Sequence, residues 1–345
     1  MLTTLKTSPL TTIEPHTYSK APAVETAPRA VDIDAARNNA LWAIVLAGGE
    51  GVRLRPLVSR LYGDARPKQY AALLDSRTLL NHTLDRVSLL VPPERIVVVT
   101  MQNHDRYIAG DFEGPAGPHV LRQPENRGTA AGVLLPVHWI HARDPRAIVA
   151  VFPSDHFIRE EERFMRYVAE VVAFVRRHRE WITLLGVQPT EPETEYGWIE
   201  PGERVGWTAR GPLYRIRRFE EKPSWETAGL LLAAGALWNT FVLVSPAATL
   251  IRAGEECLPD LHDRLTSLAP FAGTELQAWA IRQAYASVPR ANFSRSVLES
   301  CPSPLAVAKV PGLTWCDLGT PARVARTLTN LGLAVPWADS DEQKN

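Results

Sequence analysis

One short stretch limits what this chain can become. Leu41 to Leu57 reads LWAIVLAGGEGVRLRPL. Trp42 to Ala47 is an apolar run of the kind that makes a strand buried on both faces. It stops at Gly48, Gly49 and Gly51, which lack a Cβ and let an anion approach the backbone N–H groups. Cations follow at once: Arg53, Arg55, Arg60, Arg66 and Lys68, with only Asp64 opposing them. A glycine turn running into concentrated positive charge suits a polyphosphate. Two familiar phosphate loops do not fit. A Walker A loop ends in Gly-Lys-Ser/Thr, which is missing, and a dinucleotide fingerprint needs a third glycine where Leu54 stands. The alternative is a tight turn beside a solvated basic loop.

The remaining composition narrows the ligand. Lys plus Arg and Asp plus Glu both total 38 in 345 residues, so no net charge draws the protein to nucleic acid or an anionic membrane, and an anion must be held by local charge. A nucleotide fits this better than a polymer. Cys257, Cys301 and Cys316 show no CxxC pair, which argues against a disulfide scaffold or a thiolate zinc site and suits a reducing cytoplasm. The start MLTTLKTSPLTTIEPH lacks the basic head and apolar core of a signal peptide, and no segment reaches the roughly 20 apolar residues that span a bilayer. The expectation is a cytoplasmic protein.

Alternation of elements sets the fold class. Residues 1–39 are rich in Thr, Pro and Ala without a period and read as a disordered tail. Leu79, Leu80, Thr83, Leu84, Val87 and Leu90 then recur at helical spacing before the β-branched run Ile96 to Thr100. A second helix from Thr129 precedes the apolar strand Ala147 to Phe152, and Pro136 within that helix predicts a kink. A third helix, with Phe164, Met165, Val168, Val171, Val172 and Val175 on one face, leads to the strand Ile182 to Val187. Helices alternating with strands imply a mostly parallel α/β sheet covered on both faces, with ligands at the carboxyl ends of its strands. The predicted division is a main domain over 40–288, a small C-terminal subdomain over 289–335 that completes the site, and a tail from 336 to 345.

Several motifs fall where such a site would form. Arg122-Gln-Pro-Glu-Asn-Arg-Gly-Thr-Ala130 lies just before a helix, where Asn126 or Thr129 could simply cap free N–H groups. Phe152-Pro-Ser-Asp-His156 follows a buried strand, which places Asp155 at the sheet edge as a hard carboxylate suited to Mg²⁺ beside phosphate, or as a turn former. Trp315-Cys-Asp-Leu-Gly-Thr320 offers Asp317 as a second carboxylate, provided folding brings 155 and 317 together. Pro189-Thr-Glu-Pro-Glu-Thr-Glu-Tyr-Gly-Trp-Ile199, Phe219-Glu-Glu-Lys-Pro223, Leu237-Trp-Asn-Thr-Phe241 and Ala291-Asn-Phe-Ser-Arg-Ser-Val-Leu-Glu299 complete the series. Each alone could be an exposed turn.

In this order and spacing, AGGEGVRLRPL, RPKQY and the later motifs resemble the sugar-1-phosphate nucleotidyltransferases, and most closely the mannose-1-phosphate guanylyltransferases. The resemblance spans about Leu41 to Leu333 and implies a Rossmann-like fold of the nucleotide-diphospho-sugar transferase type with a small C-terminal extension. It implies that Gly48, Gly49 and Gly51 wrap the triphosphate while Arg53 and Lys68 stabilise its phosphates and the departing pyrophosphate. Gln123, Asn126 and Thr129 would meet the nucleotide base; Tyr196, Gly197, Glu221 and Asn239 the sugar; Lys222 the sugar phosphate; and Asp155 with Asp317 a Mg²⁺ ion. The implied reaction joins an NTP, GTP by resemblance, to mannose 1-phosphate, in an enzyme that related proteins suggest is a homodimer. Three departures fall on the sugar side or in the C-terminal part: Glu195 and Phe241 stand where the family has glycines, and Ser294-Arg295 replace Asp-Tyr. They leave open another sugar or base, or a sugar-nucleotide-binding paralogue without turnover.

Overall fold

The computed structural model describes residues 40–108, 117–301, 304–335 and 337; the expected N-terminal tail and the C-terminal tail apart from Trp337 lie outside them. Eleven strands are described, in chain order β1 (Leu41–Leu46), β2 (Ile96–Met101), β3 (His119–Gln123), β4 (Ile148–Pro153), β5 (Phe157–Ile158), β6 (Ile182–Val187), β7 (Gly197–Thr208), β8 (Gly211–Glu221), β9 (Leu237–Pro246), β10 (Leu305–Val310) and β11 (Trp315–Cys316). Nine form one sheet in the order β3-β2-β1-β4-β9-β6-β10-β8-β7, while β5 and β11 pair apart from it. Strands β3, β2, β1 and β4 are mutually parallel, the arrangement that alternation with helices predicts. Beyond them β9 enters antiparallel between β4 and β6, so its first residues reach the edge where β1 and β4 end.

Strand β1 shows why the sheet is covered on both sides. Leu41, Ala43 and Val45 join one core, packed under α2 (Leu79–Ser88) and α4 (Glu161–Arg177). Trp42 and Ile44 join the other, under α3 (Thr129–Arg143) and α6 (Ala247–Cys257). Alternate side chains of a strand face opposite ways, so a strand between two helical layers must be apolar throughout. Helix α3 runs through Pro136 as one element. A third, smaller core joins α1 (Arg55–Tyr62), which follows the glycine turn, to α9 (Pro321–Asn330) near the C-terminus through Leu57, Val58, Leu318, Val324 and Leu328. Strand β10 lies between β6 and β8, so the segment after 289 contributes to the main sheet. The remaining described helices of eight or more residues are α5 (Trp225–Ala233), α7 (Pro259–Thr266) and α8 (Gln277–Tyr285).

The cysteine expectation needs correction. Cys257 at the end of α6 is bonded to Cys301, 44 residues on, and Cys316 is the free thiol. Only the packing of α6 against the turn Ser294–Glu299 brings those two together, and no spacing pattern in the chain reports it. The cysteines therefore give no support to a reducing compartment. Among the described residues no helix is long and apolar enough to cross a membrane.

Helix α3 also buries His138, whose ring centroid lies 5.2 Å from that of His262 on α7. Burial, with repulsion from His262 and His141, pushes its pKa from 6.5 down to about 3. Unfolding then takes up a proton, so stability falls as the pH drops from 6.5 toward 3. His138→Leu is expected to flatten that decline by up to ~1.4 kcal/mol per pH unit in urea melts; an unaltered slope would assign the decline to other groups.

Candidate active site

The glycine turn leaves β1 and enters the 3₁₀ turn Val52–Leu54, with Gly51 in the left-handed region at φ 57°. Two residues of the RPKQY segment hold it in place. The Gln69 amide donates to the carbonyls of Ala47 (2.9 Å) and Gly49 (2.7 Å), and the Tyr70 hydroxyl donates to Ala47 O (2.8 Å). These contacts occupy the carbonyls from behind and fix the loop without using its N–H groups. Sequence reasoning missed both Gln69 and Tyr70, because amide and phenol side chains carry no position-specific signal.

Lys68 is buried, and its ammonium donates to the backbone carbonyl of Asp317 while lying 3.3 Å from Asp155 Oδ2. The two acidic residues named from sequence therefore meet around one cation, Asp155 through its carboxylate and Asp317 through its backbone carbonyl, and both line one cavity. Arg53 is half-exposed and reaches Glu195 Oε2 at 2.8 Å and Asp317 Oδ2 at 3.6 Å. Gly51, Arg53, Lys68, Asp155 and Gly319 line a hollow of about 250 Å³.

Asp317 is held firmly. Its Oδ1 accepts from the Tyr196 hydroxyl, Gly319 N and Arg323 Nη1, each at 2.9 Å. Burial works against its charge, but Lys68, Arg323 and His156 outweigh it and keep the carboxyl below the usual range. Arg323, on α9, also pairs with Glu193; it is a site-building residue that sequence reading missed, since an arginine on an amphipathic helix reads as solvated surface. Asp317 Oδ2 faces Arg53 at 3.6 Å and the Asp155 carboxylate faces Lys68 at 3.3 Å and His156 at 3.6 Å, long contacts around hard oxygens of the kind a divalent cation takes. No cluster of three or more His, Cys, Asp or Glu side chains suited to a metal occurs among the described residues. Two carboxylates would thus hold an ion jointly with phosphate oxygens, the usual manner for Mg²⁺.

On one side of this charge cluster a cleft of about 490 Å³ is lined by Gly48, Gly49, Gln123, Asn126, Gly128, Thr129, Arg290, Ala291 and Asn292. Neither Asn126 nor Thr129 caps α3, whose N-cap is Gly128. Instead Asn126 Oδ1 accepts from Gly128 N (2.9 Å), and Thr129 Oγ1 accepts from Phe293 N (2.8 Å), which draws the 290–293 strip over the cleft. Gly128 sits at φ 84°, where an added Cβ would lie 2.2 Å from Ala291 O, so only glycine permits this approach. The capping alternative therefore gives way to a tertiary junction that a local sequence window cannot show.

On the other side a cavity of about 330 Å³ is lined by Asp155, Glu195, Tyr196, Gly197, Glu221, Lys222, Asn239, Phe241, Ser294 and Asp317. All the residues named from sequence for this side face it. Burial pushes the Glu221 carboxyl up, against the pull of Lys222 and a Ser294 hydrogen bond. Asn239 Oδ1 accepts from Phe241 N at 3.0 Å. Three non-glycine residues with positive φ all lie at this edge: Lys222 (55°), Phe241 (59°) and Leu318 (49°). The departure at Phe241 thus has a backbone meaning, since a position suited to glycine carries a ring whose centroid is 6.2 Å from that of Phe293. The departure at Glu195 has an electrostatic one, because its carboxylate lies 2.8 Å from Arg53 and 3.5 Å from Lys222 and occupies two cations aimed at the cleft.

The nucleotidyl transferase family model matches residues 42–330. Mannose-1-phosphate guanylyltransferase of Salmonella montevideo is 27% identical over 284 residues, covering 80% of this chain and 58% of the relative. The xanthan biosynthesis protein XanB of Xanthomonas campestris pv. campestris (strain B100) is 29% identical over 284 residues, with 80% and 57% covered. The chain therefore spans less than three fifths of these relatives. A crystal structure described as mannose-1-phosphate geranyltransferase from Thermus thermophilus superposes with a TM-score of 0.70 and 31% identity, covering 81% of this chain and 77% of that one. UDP-glucose pyrophosphorylase complexed with UDP-glucose, at 13% identity and a TM-score of 0.53, shares the fold.

Glu195→Gly releases Arg53 and Lys222 from an exposed ion pair worth ~0.2–1 kcal/mol. Calorimetry should find inorganic pyrophosphate bound about threefold more tightly. An unchanged or weaker affinity would mean that Glu195 does not compete with phosphate.

Proposed function

Because this chain belongs to the nucleotidyl transferase family, we propose that it transfers a guanylyl group from GTP to mannose 1-phosphate, giving GDP-mannose and pyrophosphate. The observation that carries this reading is the joining of three sites: a cleft fit for a base shares Gly49 and Thr129 with a polar cavity fit for a sugar phosphate, and that cavity shares Asp155 with a cation-lined hollow at the glycine turn fit for a triphosphate. The names of the relatives support the choice of guanine and mannose.

In the proposed reaction an oxygen of the sugar phosphate attacks the α-phosphorus of GTP. The bond to the bridging α–β oxygen breaks, and its electron pair leaves with pyrophosphate. Lys222 orients the attacking phosphate, whereas Arg53 and Lys68 offset charge on the leaving group. The turn at Gly48, Gly49 and Gly51 offers backbone N–H groups to the triphosphate. Asp155 and Asp317 would hold Mg²⁺, which when bound supplies charge neutralisation at the phosphate oxygens. Gln123, Asn126 and Thr129 shape the base cleft, while Tyr196, Gly197, Glu221 and Asn239 line the sugar side. Positioning and electrostatics supply the catalysis, without a covalent enzyme intermediate. We place the enzyme in the cytoplasm, with small-molecule substrates, no nucleic-acid or membrane partner, and a homodimer as its assembly.

A second reading, the same chemistry with a different sugar, is favoured by one observation: Phe241 puts a ring in the sugar cavity at a position where the family it resembles has glycine. Purified protein given Mg²⁺, each of the four common NTPs and a panel of sugar 1-phosphates, with pyrophosphate release followed, separates the readings. Highest kcat/KM with GTP and mannose 1-phosphate supports the first, a different best sugar supports the second, and nucleotide binding without turnover rejects both. Lys68→Ala is expected to lower kcat about 10²- to 10³-fold, comparable with loss of an oxyanion donor. Asp155→Asn should abolish the dependence of the residual rate on divalent ion; a wild-type metal titration curve in that variant would remove Asp155 from the ion site.

A further inference from the structure

Tyr285 ends α8, outside every motif of the chain, yet its hydroxyl lies 2.9 Å from Gln123 Oε1 beneath the base cleft. Tyr285 is 1% exposed and Gln123 4%. The helix that carries it is fastened at both ends. Trp139 Nε1 of α3 donates to Gln277 Oε1 (2.6 Å) at its start, and Arg127 Nη2 donates to Tyr285 O (3.4 Å) at its end. The Gln123 amide is confined as well, because its Nε2 lies 2.9 Å from where a Cβ on Gly48 would stand.

Which end of a buried amide is oxygen is decided by its hydrogen-bond network. A tyrosine hydroxyl has one hydrogen, and here Gln123 Oε1 receives it. Turning the amide over would place NH₂ against the hydroxyl and strand the phenolic hydrogen in a site without solvent, a costly arrangement. Burial also pushes the Tyr285 pKa up, so the hydroxyl keeps its proton throughout the physiological range. The NH₂ end of Gln123 is therefore left on the side of Gly48, which lines the cleft together with Gln123 itself.

We propose that Tyr285 is a positioning residue for base selection: by holding the Gln123 carbonyl, it presents an NH₂ donor to the cleft and so selects a base with a carbonyl at the contacted edge over one with an amino group there. The selectivity follows because a donor facing a donor leaves both unpaired in a desolvated site, which discriminates more sharply than a difference in shape. This rests on the nucleotidyl-transfer reading and goes beyond it by assigning the choice of base to a residue outside the cleft wall.

The test compares GTP with 2-aminoadenosine triphosphate, which keeps the 2-amino group of guanine, exchanges the 6-carbonyl for an amine and turns N1 from donor to acceptor. Calorimetric affinities of both for the wild-type protein, Tyr285→Phe and Gln123→Glu are measured alongside pyrophosphate release. Wild type should prefer GTP, and Tyr285→Phe should reduce that preference about tenfold, with KM for the sugar 1-phosphate unchanged. Gln123→Glu offers acceptors only and should turn the preference toward the 6-amino analogue, a result that does not depend on how well Tyr285→Phe folds. A wild-type protein indifferent to the 6-position, a Tyr285→Phe variant with the full GTP preference, or a Gln123→Glu variant that still favours GTP overturns the inference. Failure of the transfer reading looks different: discrimination in binding with no pyrophosphate released.

Discussion

The site depends on one buried cation. Lys68 is shut behind the glycine turn, where an ammonium without partners would be too costly to keep. It is satisfied by Asp155, at the end of β4, and by the backbone of Asp317, far along the chain on the approach to α9. The fold must therefore close its C-terminal segment onto its N-terminal loop for the buried Lys68 side chain to have both partners. The apolar side of that closure is the small core joining α1 to α9, and the polar side is the set of donors around Asp317 from Tyr196, Gly319 and Arg323. In the proposed reaction the same closure places fixed positive charge beside the leaving pyrophosphate.

Around this centre the backbone is held in conformations it would not choose. Lys222, Phe241 and Leu318 all have positive φ, and all lie at the edge where β4, β7, β8 and β9 present their ends. Such residues persist only when the surrounding structure over-determines them. Lys222 N donates to Tyr196 O (3.1 Å), Phe241 N donates to Asn239 Oδ1 (3.0 Å), and Leu318 N points at the Cys316 thiol sulfur (3.3 Å). This edge of the cavity is thus held in place by hydrogen bonds at each strained position. A ring at 241 changes the cavity's shape rather than its mobility, and a carboxylate at 195 changes its charge.

Much of this was legible in the chain because its causes are local. An apolar run ending in three glycines and a string of cations gives a strand, a turn and a charge cluster from neighbouring residues alone, and Asp155 follows a buried strand too closely to be anywhere but its end. The alternation of strands and helices gave the parallel half of the sheet. What escaped reading has causes spread over the whole fold. Asn126 and Thr129 taken alone could be helix caps, residue types common there, yet Asn126 braces the turn at Gly128 and Thr129 holds Phe293, more than 160 residues away. Gln69, Tyr285 and Arg323 act through partners that only the tertiary structure supplies. Cys257 and Cys301 pair because α6 packs on the turn before Cys301, and no window of sequence contains both.

The proposed joint hold of Lys68, Asp155 and Asp317 on a triphosphate is open to direct observation. Crystals grown with Mn²⁺ and an α,β-methylene analogue of GTP would locate the ion by its anomalous scattering. The expected result is Mn²⁺ bound by both carboxylates and a phosphate oxygen, with Lys68 Nζ within hydrogen-bond distance of the β- or γ-phosphate. An ion bound away from Asp155 and Asp317, or a triphosphate lying outside the reach of Lys68, would contradict it.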